Sequence, residues 1–178
     1  VFFCLVKLNQ YAVFNSNFVT MKSSSLNEVK KELLNLSPKE LAEMCIALAK
    51  YKKDNKEYLD FLLFEAHNKT DYISRIKEEI DEAFILMKGQ GNLYYNKKSL
   101  RKVLRLIGKY SKYLGEKTAS IELLIYFCIK LKKSGIPYQE SKLIVNMYEQ
   151  QIKKITTLVN SLHEDIQADY ASDLEKIM

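Results

Sequence analysis

The chain has no tryptophan, two prolines and five glycines among 178 residues. With so few breakers there are few places to end an element, which argues against many short strands and for long helices. Histidine is also scarce, at His67 and His163 alone, and there are three cysteines. No Ser-His-Asp order, nucleophile elbow or Glu-x-x-His pair of the di-iron type is present. Cys4, Cys45 and Cys128 lack zinc-ligand spacing. Cys45 and Cys128 fall on apolar helical faces, so buried free thiols in a reducing cytoplasm are expected. The longest apolar run is too short to cross a bilayer, so no stable membrane insertion is expected.

What is present has helical character. Leu, Ile, Lys, Glu and Ala dominate, and the formal net charge is +6, which permits an acidic partner without requiring one. The most apolar window is Ile121 to Leu131, where Leu123 to Ile129 is an unbroken apolar run. A helix that is apolar on every side is normally buried. Gly115 closes the helix before it, and Ser134, Gly135 and Pro137 close this one. This window is therefore expected to be the central helix on which the others pack.

Residues 1–20 differ from the rest, with Lys7 as their one charge. They are read as an extension, either translated upstream sequence or a poorly ordered arm, because Met21 is a more natural start. Residues 21–178 are read as a single helical domain. A short helix is expected over 26–35. Ser37, Pro38 and Glu40 then form a helix start, with Ser37 as cap and Glu40 closing a capping box. Leu41, Met44, Cys45 and Leu48 form the apolar stripe of that helix, which runs to about residue 53. Helices over 55–68 and 70–88 follow, the second carrying the acidic patch Glu78, Glu79, Asp81 and Glu82. Residues 89–91, Gly-Gln-Gly, are the clearest loop.

The helix over 96–114 is sharply amphipathic. Leu100, Val103, Leu104, Ile107, Tyr110 and Leu114 share one face, and Lys98, Arg101, Lys102, Arg105, Lys109 and Lys112 the other. After the central helix, a long C-terminal helix is expected over 138–177. Its seam of Tyr148, Ile152, Ile155, Val159, Leu162 and Ile166 steps as a coiled coil does. The expected fold is thus all-α, with six or seven antiparallel helices. One arrangement of them is two tandem three-helix units, because Leu41 to Tyr51 reads like Leu100 to Tyr110 about 60 residues on.

The segments Leu62 to His67, Lys97 to Lys102, Glu122 to Cys128, Lys133 to Pro137 and Leu162 to Asp165 resemble a family of small uncharacterised all-helical bacterial proteins. The resemblance covers roughly residues 36–174. It implies a bacterial, cytoplasmic helical domain and brings no activity or assigned site.

Two constellations are candidates for function. Glu40 and Glu43 form one carboxylate pair at i, i+3, and Glu57 and Asp60 a second, each on one face of its helix. Carboxylate clusters hold Mg²⁺, which binds triphosphates and activates water. The spacing resembles that of all-helical nucleoside triphosphate pyrophosphohydrolases, in which such carboxylates bind magnesium. That resemblance covers about 25 residues and implies a metal site at Glu40, Glu43, Glu57 and Asp60. Asp60 interrupts the apolar run from Tyr58 to Phe64, so it is expected near the core, with Glu57 and His67 on the same side.

The second constellation is the basic stripe from Lys97 to Lys117, with Tyr94, Tyr95, Tyr110 and Tyr113 nearby. Cations and aromatic platforms together suit single-stranded RNA, although a cationic helix face also serves plain solvation. The primary expectation is a non-catalytic helical interaction module with a basic face and a protein partner, using no cofactor. The alternatives are RNA binding through Lys98, Arg101, Lys102, Arg105, Lys109 and Lys112, and magnesium-dependent nucleotide hydrolysis.

Overall fold

The structure is a computed structural model describing residues 23–88 and 92–178. The expected extension 1–20 and the expected Gly-Gln-Gly loop lie outside the described residues. Among the described residues the protein is all-α. They contain no strand, as the periodicity and the scarcity of breakers predict, and nine α-helices, the six or seven expected being supplemented by short ones such as α8 and α9 (Glu164–Asp169 and Ala171–Ile177). No described helix is long and apolar enough to cross a membrane. The chain divides into two compact units, Val1–Ile46 and Ala47–Met178.

In the first unit, helix α1 (Leu26–Leu34) starts with a reciprocal capping box between Ser25 and Glu28. Helix α2 (Pro38–Tyr51) begins in this unit and ends in the second. Its start is the expected one. Glu40 accepts from the Ser37 N–H at 2.8 Å and from the Ser37 hydroxyl at 2.6 Å, and the Glu40 N–H donates back to Ser37 Oγ. Neither helix contains a buried residue. The apolar stripe expected to be core on α2 is therefore largely open, with Met44 and Leu48 exposed, and Cys45 is exposed rather than buried.

In the second unit, helix α3 (Lys53–Asp60) runs into a π-helical turn, Phe61–Glu65, closed by Ala66 N–H donating to Phe61 O at 2.9 Å. The wider turn changes which side chains face inward. Phe61 is buried among Tyr58, Tyr72 and Tyr113, whereas Leu62, Leu63 and Phe64 are exposed. The remaining helices are α4 (Lys69–Lys88), α5 (Leu93–Leu114), α6 (Lys117–Lys133), α7 (Lys142–Val159), α8 (Glu164–Asp169) and α9 (Ala171–Ile177).

The centre is α6, as its all-round apolarity predicts. It packs on α4, α5, α7 and α9. Ile121, Leu123, Leu124, Phe127, Cys128 and Leu131 are each at most 2 % exposed. Gly115, at φ 69°, supplies the left-handed C-cap of α5 and donates its N–H to Ser111 O. Such a φ favours a residue without Cβ. The short connection through Gly115 and Glu116 turns α6 back along α5. Polar ties pin α4 to α6. Tyr126 donates to both Asp81 carboxylate oxygens, at 2.9 and 2.8 Å, and Lys130 reaches Asp81 at 2.7 Å. Asp81, one of the acidic patch on α4, is thus a structural anchor.

The C-terminal stretch differs from one continuous helix over 138–177. Tyr138–Glu140 forms a 3-10 turn, and α7 spans 18 residues. The chain then breaks at residues 160–163. Tight turn bonds run from Ser161 N–H to Leu158 O and from Leu162 N–H to Val159 O, the Ser161 hydroxyl donates to Leu158 O, and His163 is extended. Asn and Ser favour such local bonds over helical propagation. The break returns α9 to α6.

The finer expectation of two tandem three-helix units gains nothing from the packing. Leu100, Val103 and Ile107 are core, while Met44 and Leu48, in the matching segment, are exposed.

The two described thiols should react very differently. Burial pushes the Cys128 thiol up to about 12, so it stays protonated, while Cys45 is exposed. In a Cys4→Ser variant, native protein should expose one thiol to a disulfide reagent within the mixing time, and a second only on unfolding. Two fast thiols without denaturant would contradict the burial of Cys128.

Candidate functional site

Helix α5 starts three residues earlier than the sequence suggests. Asn92 is its cap, accepting from the Tyr94 N–H at 2.8 Å. The shift places Asn96 inside the helix, where it is 4 % exposed and its Oδ1 has no partner among the described residues. The apolar face of α5 binds it to α4 and α6, leaving its cationic face outward. Helix α7 likewise buries Ile144, Met147, Ile155 and Val159.

Helices α5 and α7 both pack on α6 and leave a groove of about 700 Å³ between them. Lys98, Arg101 and Arg105 form one wall. Asn146, Gln150 and Gln151 line the groove from α7, and the apolar lining is Leu104, Leu143 and Met147. No carboxylate lies within ion-pairing distance of Lys98, Arg101 or Arg105 among the described residues. Other lysines do pair: Lys69 with Glu116, Lys77 with Glu122 and Lys130 with Asp81.

The six cations of the stripe therefore divide. Lys98, Arg101 and Arg105 line the groove, while Lys102 and Lys112 are exposed and outside its lining. Lys109 has a different task. Its ammonium donates to Glu57 at 2.5 Å and lies 4.8 Å from the centre of the Tyr110 ring and 5.9 Å from that of Tyr113. That contact ties α5 to α3, and the hydrogen bond from Lys109 holds the Glu57 carboxyl below its usual range. Tyr110 and Tyr113 belong to this aromatic cluster with Tyr72 and Tyr58.

The carboxylates proposed for magnesium are placed as follows. Glu40 and Glu43 lie in the first unit, Glu57 and Asp60 in the second. Glu40 is held by Ser37, whose hydroxyl and N–H lower its pKa. Glu57 faces two ammonium groups, Lys109 at 2.5 Å and Lys53 at 3.6 Å. Asp60 is exposed rather than near the core, and so is His67. Among the described residues no three His, Cys, Asp or Glu side chains are grouped to hold a metal ion. The two ammonium groups on Glu57 would compete with a Mg²⁺ ion for that carboxylate.

The α7 side of the groove has only a weak signal in the sequence. Asn146, Gln150 and Gln151 interrupt an apolar seam at i, i+4 and i+5. That spacing marks a polar strip, but only the packing shows that it faces α5. Compared with protein-family models, curated proteins and solved structures, the chain matches none.

Proposed function

We propose that this protein is a non-catalytic binding module that takes an acidic partner in the α5–α7 groove. The observation that carries the reading is the convergence of Lys98, Arg101 and Arg105 on one groove, with no carboxylate among the described residues in ion-pairing distance of them. Like charges at i, i+3 and i+4 on a helix repel by a few tenths of a kcal/mol per pair, so the arrangement does not help α5 fold. An anionic partner would relieve that repulsion and be steered toward the groove before contact. Among the described residues the groove lining has no carboxylate, imidazole, thiol or hydroxyl, so Lys98 is its one side chain with proton-transfer or nucleophilic chemistry and has no second such group there to pair with.

Polyanion binding tests this. Wild-type protein should be retained on immobilised heparin at low salt. Lys98→Glu, Arg101→Glu and Arg105→Glu together should abolish retention. Lys102→Glu, Lys112→Glu and Lys154→Glu change the net charge equally on exposed residues outside the groove lining and should leave most of it. Equal loss in both triple variants would mean diffuse charge attraction, and retention of the first variant would remove the groove from consideration.

A further inference from the structure

We infer that the acidic partner is a single-stranded nucleic acid, held by the groove cations through its phosphates and by Tyr94 through a base. This rests on the groove reading and adds two observations to it. The first is Tyr94 itself. It lies one helical turn before Lys98, on the face that continues to Arg101 and Arg105 (positions i, i+4, i+7 and i+11). It is 67 % exposed, and beside it Tyr95 is 53 % exposed.

Other tyrosines have visible structural work. Tyr72, Tyr110, Tyr113 and Tyr126 have cations beside their rings, and the Tyr148 hydroxyl donates to Ile177 O. Among the described residues Tyr94 and Tyr95 contact each other edge to face, with ring centres 5.6 Å apart, and neither has a cation or a hydroxyl partner. Exposed rings at the end of an unneutralised cationic track are the parts a single strand requires, because every base has a face to stack.

The second observation is the uncharged wall. Asn146 and Gln150 are exposed and each presents both an amide donor and an acceptor, as base edges demand. Gln151 is partly committed, donating to Met147 O at 3.1 Å. Lys98 to Arg105 spans about 10 Å along the helix axis, enough for two or three phosphates of a strand lying in the groove. A duplex fits less well. Both helices bury their inner faces on α6, so neither projects to enter a major groove. An acidic peptide helix would need a run of apolar pockets, and the described groove lining has one well-exposed apolar side chain, Leu143.

The experiment is fluorescence anisotropy with the full chain and four labelled probes. They are a short oligouridylate, the matching oligodeoxythymidylate, an RNA duplex of the same length, and polyglutamate. The single strands should bind more tightly than the duplex or polyglutamate. The slope of log affinity against log salt should be about −2, from three phosphate contacts at roughly 0.7 each.

Tyr94→Ala should weaken single-strand binding about tenfold or more with the slope unchanged, and Tyr94→Phe should restore it. Since Tyr94 is exposed, its replacement leaves the fold intact, and the unchanged slope shows that the groove still engages. If polyglutamate or the duplex binds as tightly, or Tyr94→Ala binds like wild type, the nucleic-acid inference is overturned while the groove stands. If no probe binds and reversal of the three groove cations changes nothing, both readings fall.

Discussion

Phe127→Ala is expected to cost about 3–5 kcal/mol of stability, a large part of what a domain of this size has in total. Phe127 is 0 % exposed on a helix that packs against four others, and its ring centre lies 5.8 Å from that of Phe84 on α4. Truncation removes the ring's transfer energy and leaves a cavity that α4, α5 and α7 cannot all close, because each is held elsewhere. The Asp81 ties to Tyr126 and Lys130 fix the spacing of α4 from α6 close to the lost ring. Urea unfolding followed by helical circular dichroism measures the loss. The midpoint should fall sharply with the slope unchanged, since the same surface is exposed on unfolding. Phe127→Leu should cost less than half as much, because most of the volume is kept. Leu143→Ala, on a side chain 55 % exposed, should be nearly neutral. A near-neutral Phe127→Ala would mean that α6 is not the centre of the fold.

That centre was legible because its signal is local. Seven consecutive apolar residues put apolar side chains on every side of the helix, and Gly115 marks the turn before α6 whatever else the chain does. The Ser37 and Glu40 start of α2 is local in the same sense, since both partners lie within one helical turn. The misplaced features depend on partners distant in sequence. An apolar stripe shows which face of a helix avoids water, not whether another element covers it. Met44 and Leu48 carry the same pattern as Val103 and Ile107 and remain exposed. Periodicity likewise put Lys98 and Lys109 on one face of α5. What separates them is Glu57, 52 residues from Lys109, and its position depends on where α3 packs. Asp60 looked buried because its neighbours are apolar, but the π turn that follows places Phe61 inside and leaves Leu62 to Phe64 outside. The groove combines both cases. Its cations were visible on one helix, but its amide wall needs a second helix brought alongside.

The second large effect is expected in α9. Ile177→Ala should cost about 2–4 kcal/mol, while Ile166→Ala should cost under about 1 kcal/mol. A continuous helix over 138–177 predicts the reverse order, because Ile166 lies on its coiled-coil seam and Ile177 near a frayed end. In the structure Ile166 is 41 % exposed and Ile177 is 0 % exposed. The break at residues 160–163 is what brings Ile177 inward. It seats α9 against α6, where the Lys132 ammonium donates to Lys176 O at 3.1 Å and the Tyr148 hydroxyl to Ile177 O at 2.5 Å. These bonds satisfy C-terminal carbonyls that α9 cannot satisfy itself, being seven residues long. So short a helix does not hold together alone and depends on this docking. Ile177→Ala should therefore lower the midpoint of the whole transition and not merely loosen the tail, since α9 covers part of the central helix. Tyr148→Phe separates the contributions, removing one hydrogen bond while keeping the ring, at roughly 1 kcal/mol. Urea midpoints of the three variants, read by circular dichroism, decide the matter. A larger loss at Ile166 than at Ile177 would restore the straight helix and dismiss the fold-back.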